Sequence, residues 1–153
     1  MIKKYKIAEG NSNDLEAICN LNYAIFKGLY SEEPYNLEKY QKRLNKKKPL
    51  IYIIKQGEIL LGNSIAFTEK ENLYLWILGV SKKHRGNGLA SKLLDLNEKF
   101  AKKNECEAVT VKVYNSSKEM MRLLLKRGYN IMEIKDKNSN PNFNSAYFSY
   151  NLK

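Results

Sequence analysis

Histidine occurs once in this chain, at His84, and cysteine twice, at Cys19 and Cys106. Neither cysteine belongs to a CxxC or a Cys/His pair, so no zinc site of those ligands is expected. Both read as reduced packing thiols. Proline and glycine are sparse, and no Gly/Ser/Pro-rich linker or internal repeat divides the 153 residues. One domain spanning 1–153 is therefore expected. No apolar run approaches the ~18 residues of a membrane span. Met1 to Lys6 is basic without an apolar segment behind it, which does not read as a signal peptide and points to a cytoplasmic location. Carboxylates are outnumbered 16 to 27 by Lys and Arg, giving a net charge of +11. Such a surface suits an anionic ligand. Only Lys46-Lys47-Lys48 forms a run, however, and no basic cluster with interleaved aromatics marks a nucleic-acid interface.

What is present is a regular alternation of apolar patterns. Residues 2–8 alternate weakly as a strand. Asn13-Asp14-Leu15-Glu16 resembles a helix start, and Leu15, Ile18, Cys19, Asn22, Ile25, Phe26 and Leu29 follow the helical period, ending near Tyr30. Pro34 breaks the chain, and Leu37, Tyr40 and Leu44 mark a second helix from about 36 to 47. Residues 50–54 and 59–67 read as paired strands around the turn Gln56-Gly57-Glu58, with Gly62 at a bulge. After a turn at Glu69 to Asn72, the nearly continuous apolar run 73–80 reads as a central buried strand.

Leu89, Leu93, Leu96 and Phe100 set a helix from about 88 to 103, and Val109, Val111 and Val113 a strand. Ser116 with Glu119 reads as a capping box opening a helix that Gly128 closes. Residues 131–134 and 146–152 are final strands flanking an Asn/Pro/Asp-rich loop, 136–144. The order βααβββαβαββ predicts an α/β fold around one mixed, mostly antiparallel sheet with helices on both faces.

One segment carries chemistry. A buried strand ends at Val80, a basic loop Ser81-Lys82-Lys83-His84-Arg85 follows, and Gly86-Asn87-Gly88 leads straight into a helix at Leu89. Glycines allow unusual dihedrals and a close approach of backbone to ligand. A helix N-terminus offers free N–H donors and positive dipole. Together they suit a phosphate or pyrophosphate. The P-loop pattern Gly-x-x-x-x-Gly-Lys-Ser/Thr is absent, and the dinucleotide fingerprint lacks its third glycine.

Arg85-Gly86-Asn87-Gly88-Leu89-Ala90 does match Arg/Gln-x-x-Gly-x-Gly/Ala, and so resembles the acyl-CoA pyrophosphate motif of the GNAT N-acetyltransferase superfamily. Val111 to Asn115, Met120-Met121 and Lys126-Arg127-Gly128-Tyr129 look like that family's fifth strand, fourth helix and terminal Lys-x-Gly-aromatic. The resemblance covers about 70 to 135 well. It implies a single GNAT-like domain that uses acetyl-CoA (CoA) and a small-molecule or peptide amine acceptor, with a homodimer left open. It also implies that the backbone of Leu78 and Val80, around Gly79, pairs with the pantetheine amides. The N–H groups of Arg85, Gly86, Gly88, Leu89 and Ala90, in the turn with Asn87, would hold the pyrophosphate, with Ser91 nearby. Asn115 would sit where the fifth strand splays from the fourth.

The proton-handling residues are not evident. Residues 73–80 contain no carboxylate to act as the base that many relatives carry there; Glu69, Glu71, Glu32 and Glu33 are the nearby candidates. The tyrosine that relatives place four residues before the terminal glycine is Leu124 here, leaving Tyr114, Tyr129 and Tyr147 as substitutes. His84 reads as a loop residue or phosphate contact. Tyr23, Phe26, Tyr30, Tyr35 and Trp76 form a candidate aromatic acceptor pocket. Without an assigned acid or base, two other classes stay open: a non-catalytic acyl-CoA-binding module and a basic nucleic-acid-associated protein.

Overall fold

The structure, a computed structural model, describes residues 4–29, 36–136 and 140–153. Seven strands form one sheet: β1 (Lys6–Glu9), β2 (Leu50–Gln56), β3 (Ile59–Glu69), β4 (Asn72–Val80), β5 (Ala108–Tyr114), β6 (Asn130–Lys135) and β7 (Ser145–Asn151). Their spatial order is β1-β2-β3-β4-β5-β7-β6. All neighbours are antiparallel except β4 and β5, which run parallel. A parallel pair needs a crossover, and α3 (Leu89–Lys103) supplies it. The remaining helices are α1 (Leu15–Phe26), α2 (Leu37–Leu44) and α4 (Lys118–Lys126).

Strand periodicity divides the core between the two faces. Ile51, Ile53, Ile65 and Phe67 point to one side, where Leu15, Ile18 and Cys19 of α1 and Tyr40 and Leu44 of α2 cover them. Ile54, Leu61 and Val80 point to the other, against Leu89 and Leu93 of α3. Val109, Val111 and Val113 join Leu94 and Ala101 of α3 and Leu124 of α4 on that same side. Burial raises the pKa of both cysteine thiols, which suits packing better than nucleophilic chemistry. No helix among the described residues is long and apolar enough to cross a membrane.

The elements follow the expected order, with local differences. The first helix stops at Phe26, because the chain leaves αR at Lys27 and reaches a left-handed Gly28 (φ 80°). The cap expected at Asn13 forms two residues earlier, on the 3-10 turn that precedes the helix, and Asp14 at the helix N-cap itself makes no side-chain cap. Asn11 Oδ1 accepts from Asn13 N–H, and the Asp14 carboxylate accepts from Asn11 N–H, around a short 3-10 turn. The capping box at Ser116 does not form. The N-cap of α4 is Ser117 with no side-chain cap, and Ser116 Oγ instead donates to Leu29 O at 2.7 Å. Gly128 does close α4 in a left-handed turn (φ 91°), with Gly128 N–H on Leu125 O and Tyr129 N–H on Leu124 O. The bulge near Gly62 falls at Leu61, where the β2–β3 register slips.

One polar knot is buried between α1, α2 and β3. Asn22 Nδ2 donates to Tyr40 Oη (3.1 Å) and to Asn63 Oδ1 (3.1 Å), and Asn63 Nδ2 donates back to Asn22 Oδ1 (2.7 Å). Asn22 and Asn63 are almost fully buried. Asn63→Leu removes the donor to the buried Asn22 Oδ1, while Asn22 Nδ2 keeps Tyr40 Oη, and should cost about 1–3 kcal/mol. The double change Asn22→Leu/Asn63→Leu should recover part of that loss. Urea denaturation of the wild type, both single variants and the double variant checks it.

Candidate functional site

The site begins as a failure of strand pairing. β4 and β5 share only three registered pairs, Leu73 with Val109, Tyr74 with Thr110 and Leu75 with Val111. The β3–β4 register slips just there, passing from Ala66 opposite Leu75 to Ile65 opposite Ile77 and leaving Trp76 as the extra residue. A bulge of this kind bends its strand and adds twist. Beyond it, Trp76 to Val80 run without a registered partner on the β5 side. A cleft of about 1170 Å³ fills the gap, walled by Leu78, Gly79 and Val80 on one side and by Val111 to Tyr114 on the other.

At one end of the cleft lies the glycine turn. Gly86 and Gly88 have φ of 81° and 76°, and a Cβ added at either would meet nothing within 4 Å. Glycine is therefore needed for backbone conformation, and the approach to the backbone is open. Gly88 is the N-cap of α3 and makes no side-chain cap. The first N–H groups of α3 accordingly lack intrahelical acceptors, and Leu89, Ala90 and Ser91 line the cleft with Gly86, Gly88 and Arg85. Arg85 Nε reaches Val80 O at 3.4 Å, and its guanidinium lies 4.0 Å from the exposed Glu119 carboxylate. His84 also lines the cleft, and its buried Nδ1 has no hydrogen-bond partner among the described residues. Backbone donors, a guanidinium and Lys82 make a donor set that fits a pyrophosphate.

Two of the expected residues turn away from the cleft. Asn87 Nδ2 donates to His84 O (3.1 Å) and Arg85 O (3.3 Å), so it staples the turn to itself. Asn115 sits at the splay, but its Nδ2 donates to Pro141 O at 3.1 Å and its Oδ1 accepts from Lys118. That side chain anchors the segment before β7.

On the face covered by α1 and α2, the cleft is lined by Phe26, Tyr40, Arg43, Tyr74 and Trp76. Phe26 and Trp76 were expected there. Tyr23 is largely exposed and does not line it; Tyr30, Glu32, Glu33 and Tyr35 lie outside the described residues. Tyr40, Arg43 and Tyr74 were not foreseen. The alternation of Tyr74 and Trp76 within an apolar strand was the one available signal. Tyr74 packs edge-on against Phe67 (5.5 Å between centroids). Burial pushes its phenol up to about 12, with Arg43 pulling the other way, so it is neutral at physiological pH. Glu69 and Glu71 lie outside the cleft, and Glu119 is the sole carboxylate among its described lining residues.

The substitute tyrosines separate clearly. Tyr129 is buried away from the cleft and donates to Glu98 Oε2 at 2.9 Å, beside the Arg127 pairs to Asp95 and Glu98. Burial first, then the Glu98 charge, raises its pKa strongly. Tyr147 packs between Lys112 and Lys135, outside the cleft lining. Of the three, only Tyr114 lines the cleft. Leu124 is fully buried in the core; Met120 and Leu123 are the apolar residues of α4 that face the cleft.

The architecture is thus a seven-stranded, mostly antiparallel sheet that splays at one parallel junction, beside a glycine turn on a helix N-terminus. The sequence matches the acetyltransferase (GNAT) family over residues 15–129, and the chain belongs to that family. Its fold is similar to that of the ribosomal-protein-S18-alanine N-acetyltransferase of Escherichia coli, with a TM-score of 0.80 and 14% identity over 97% of this chain and 94% of that one. An N-acetyltransferase of Staphylococcus aureus Mu50 gives a TM-score of 0.79 and 17% identity over 99% and 100% of the two chains. A Salmonella typhimurium protein solved with acetyl-CoA as its cofactor gives 0.76 and 11%, over 97% and 94%. No curated protein sequence gives a significant match.

Two substitutions test the site's parts. Gly88→Val places a β-branched residue at φ 76° in the open approach and should weaken CoA binding at least ~10-fold, with the fold kept; isothermal calorimetry checks this. Tyr129→Phe should cost about 1 kcal/mol of stability through the lost Glu98 bond and leave kcat unchanged in steady-state assays.

Proposed function

We propose that the chain transfers an acetyl group from acetyl-CoA to a primary amine by direct attack within a ternary complex. The observation that carries this reading is the divergence of β4 and β5 directly in front of the Gly86–Gly88 turn. A free strand edge offers amide donors and acceptors to an extended ligand, here the pantetheine arm along Leu78, Gly79 and Val80. The turn and the start of α3, from Arg85 to Ser91, bind the pyrophosphate; Asn87 keeps the turn in shape, and Asn115 holds the far wall. The thioester supplies the activated acyl group. A C–N bond forms, the C–S bond breaks, the amine proton passes to water, and the thiolate is reprotonated from solvent.

With no carboxylate lining the acceptor face among the described residues, the chain contributes chiefly orientation and exclusion of competing poses. The aromatic floor of Phe26, Tyr74 and Trp76 and the wall of Leu123 and Met120 perform that task. A second reading, a non-catalytic acyl-CoA-binding module, is favoured by one observation: Leu124 is sealed in the core, so no hydroxyl is presented from that position of α4.

Sustained thiol release from acetyl-CoA across a panel of amines separates the two readings; acyl transfer requires turnover well beyond one equivalent. With solvent as the proton acceptor, kcat/KM should rise with pH in step with the amine's own ionisation. The limb should move from near 8 for a peptide α-amine to above 10 for an alkyl amine. A limb fixed near one pH for all acceptors would reveal an enzymic base instead.

A further inference from the structure

The acceptor half of the cleft has an electrostatic character of its own. Arg43, on the exposed side of α2, lies with its guanidinium 5.6 Å from the Trp76 ring centroid and 6.0 Å from that of Phe67. It lines the cleft and has no ion-pair partner among the described residues. Lys112 enters from β5. Tyr74 is in register with Thr110, so Thr110, Lys112 and Tyr114 share the face of Tyr74. The Lys112 ammonium rests 5.1 Å from the Tyr114 ring and 5.9 Å from that of Tyr147, again with no carboxylate partner among the described residues. The one described carboxylate of the lining, Glu119, is beside Arg85 on the phosphate side. Two cations with no ion-pair partner among the described residues, set over an aromatic floor, repel polyamines and lysine side chains and attract anions, and the net charge of +11 adds long-range attraction.

The absence of a carboxylate base from the acceptor face among the described residues narrows the acceptor further. An alkyl amine of pKa about 10.4 is under ~1% neutral at pH 8, whereas a peptide α-amine of pKa about 7.7–8.0 is at least about half neutral. A cleft that leaves the proton to water therefore suits the α-amine.

We propose that the acceptor is the N-terminal α-amine of an acidic peptide, with a carboxylate side chain near the N-terminus held by Arg43 and, behind it, Lys112. This assignment rests on the acyl-transfer reading and narrows its substrate class. Arg43 acts as a specificity residue: its planar fork can hold a carboxylate while it stacks on Trp76.

The test uses short peptides that begin Ala-Glu, Ala-Gln or Ala-Lys, and a second set with the same changes at the third position. In at least one set, kcat/KM should be about tenfold or more higher for Glu than for Lys, with Gln between, and the spread should shrink toward ~0.5 M salt. Arg43→Glu should invert the order, mainly through KM, while the KM for acetyl-CoA stays near the wild-type value. Arg43→Gln, which removes the charge without reversing it, should collapse the Glu-to-Lys ratio, and a thermal melt of each variant confirms folding. A wild-type enzyme indifferent to these changes, or one preferring Lys, overturns the proposal, as does an unchanged order in folded Arg43→Glu. If other amines are turned over and no peptide is, the proposal fails while the acyl-transfer reading stands; if no amine of any class is turned over, the acyl-transfer reading itself fails. Calorimetric binding of the Glu and Lys peptides to the CoA-saturated protein then decides the acidic preference, and equal affinities sink it.

Discussion

Everything functional in this molecule depends on three residue pairs, Leu73–Val109, Tyr74–Thr110 and Leu75–Val111, being the whole of the registered contact between β4 and β5. On either side of that junction the sheet is well bonded. β3 and β4 run together from Gly62–Val80 to Glu69–Asn72, and β5 and β7 pair along their full lengths. The Trp76 bulge turns β4 before the junction can extend. The far end of β4 is then held from both faces, by α1 packing on Gly79 and by Val80 packing against Leu89 and Leu93 of α3. The gap is thus a consequence of two strong half-sheets meeting at a weak seam. Ser116 Oγ on Leu29 O bridges segments from opposite walls of the opening.

Because the seam opens through the sheet, its two ends inherit different chemistry. The α3 side offers backbone N–H groups, Arg85 and Lys82, with Glu119 the sole carboxylate among the described residues that line the cleft. The α1/α2 side offers aromatic rings, with cations resting over them. Separating an anion cradle from an aromatic platform in this way would orient an extended ligand along β4. With no carboxylate on the acceptor face among the described residues, orientation is what the proposed transfer would draw on.

How much of this was legible follows from how local each signal is. The glycine turn was readable because its glycines, basic loop and helix onset are contiguous, and the Gly128 cap for the same reason. The apolar run of β4 announced a central strand, but its slip at Trp76 depends on β3 and left no mark in the run itself. Ser116 and Glu119 carry the local pattern of a capping box. The hydroxyl instead found a carbonyl 87 residues away, an outcome spacing cannot foresee. Arg43, Tyr40 and Tyr74 looked like an ordinary helix face and strand; only the stacking of α2 over β4 makes them neighbours of the cleft. Asn115 was placed at the right point of the chain, yet its partner, Pro141 O, comes from a loop that the sequence shows only as irregular.

The polar knot at Asn22, Asn63 and Tyr40 explains why the acceptor wall is where it is. An apolar contact between α1 and β3 would let the helix slide or rotate by small amounts at little cost, because dispersion contacts are non-directional. Reciprocal amide bonds fix both rotation and height, since a shift would leave buried donors and acceptors unmatched. The constraint is transmitted at once. With Asn22 fixed, its Oδ1 would lie 2.8 Å from a Cβ on Gly79, and Ile25 Cδ1 would lie 3.1 Å from it, so only glycine lets β4 approach. One helical turn on from Asn22, Phe26 and Ile25 are thereby presented to the cleft. Two buried asparagines and one glycine thus set the distance between the aromatic platform and the open edge of β4.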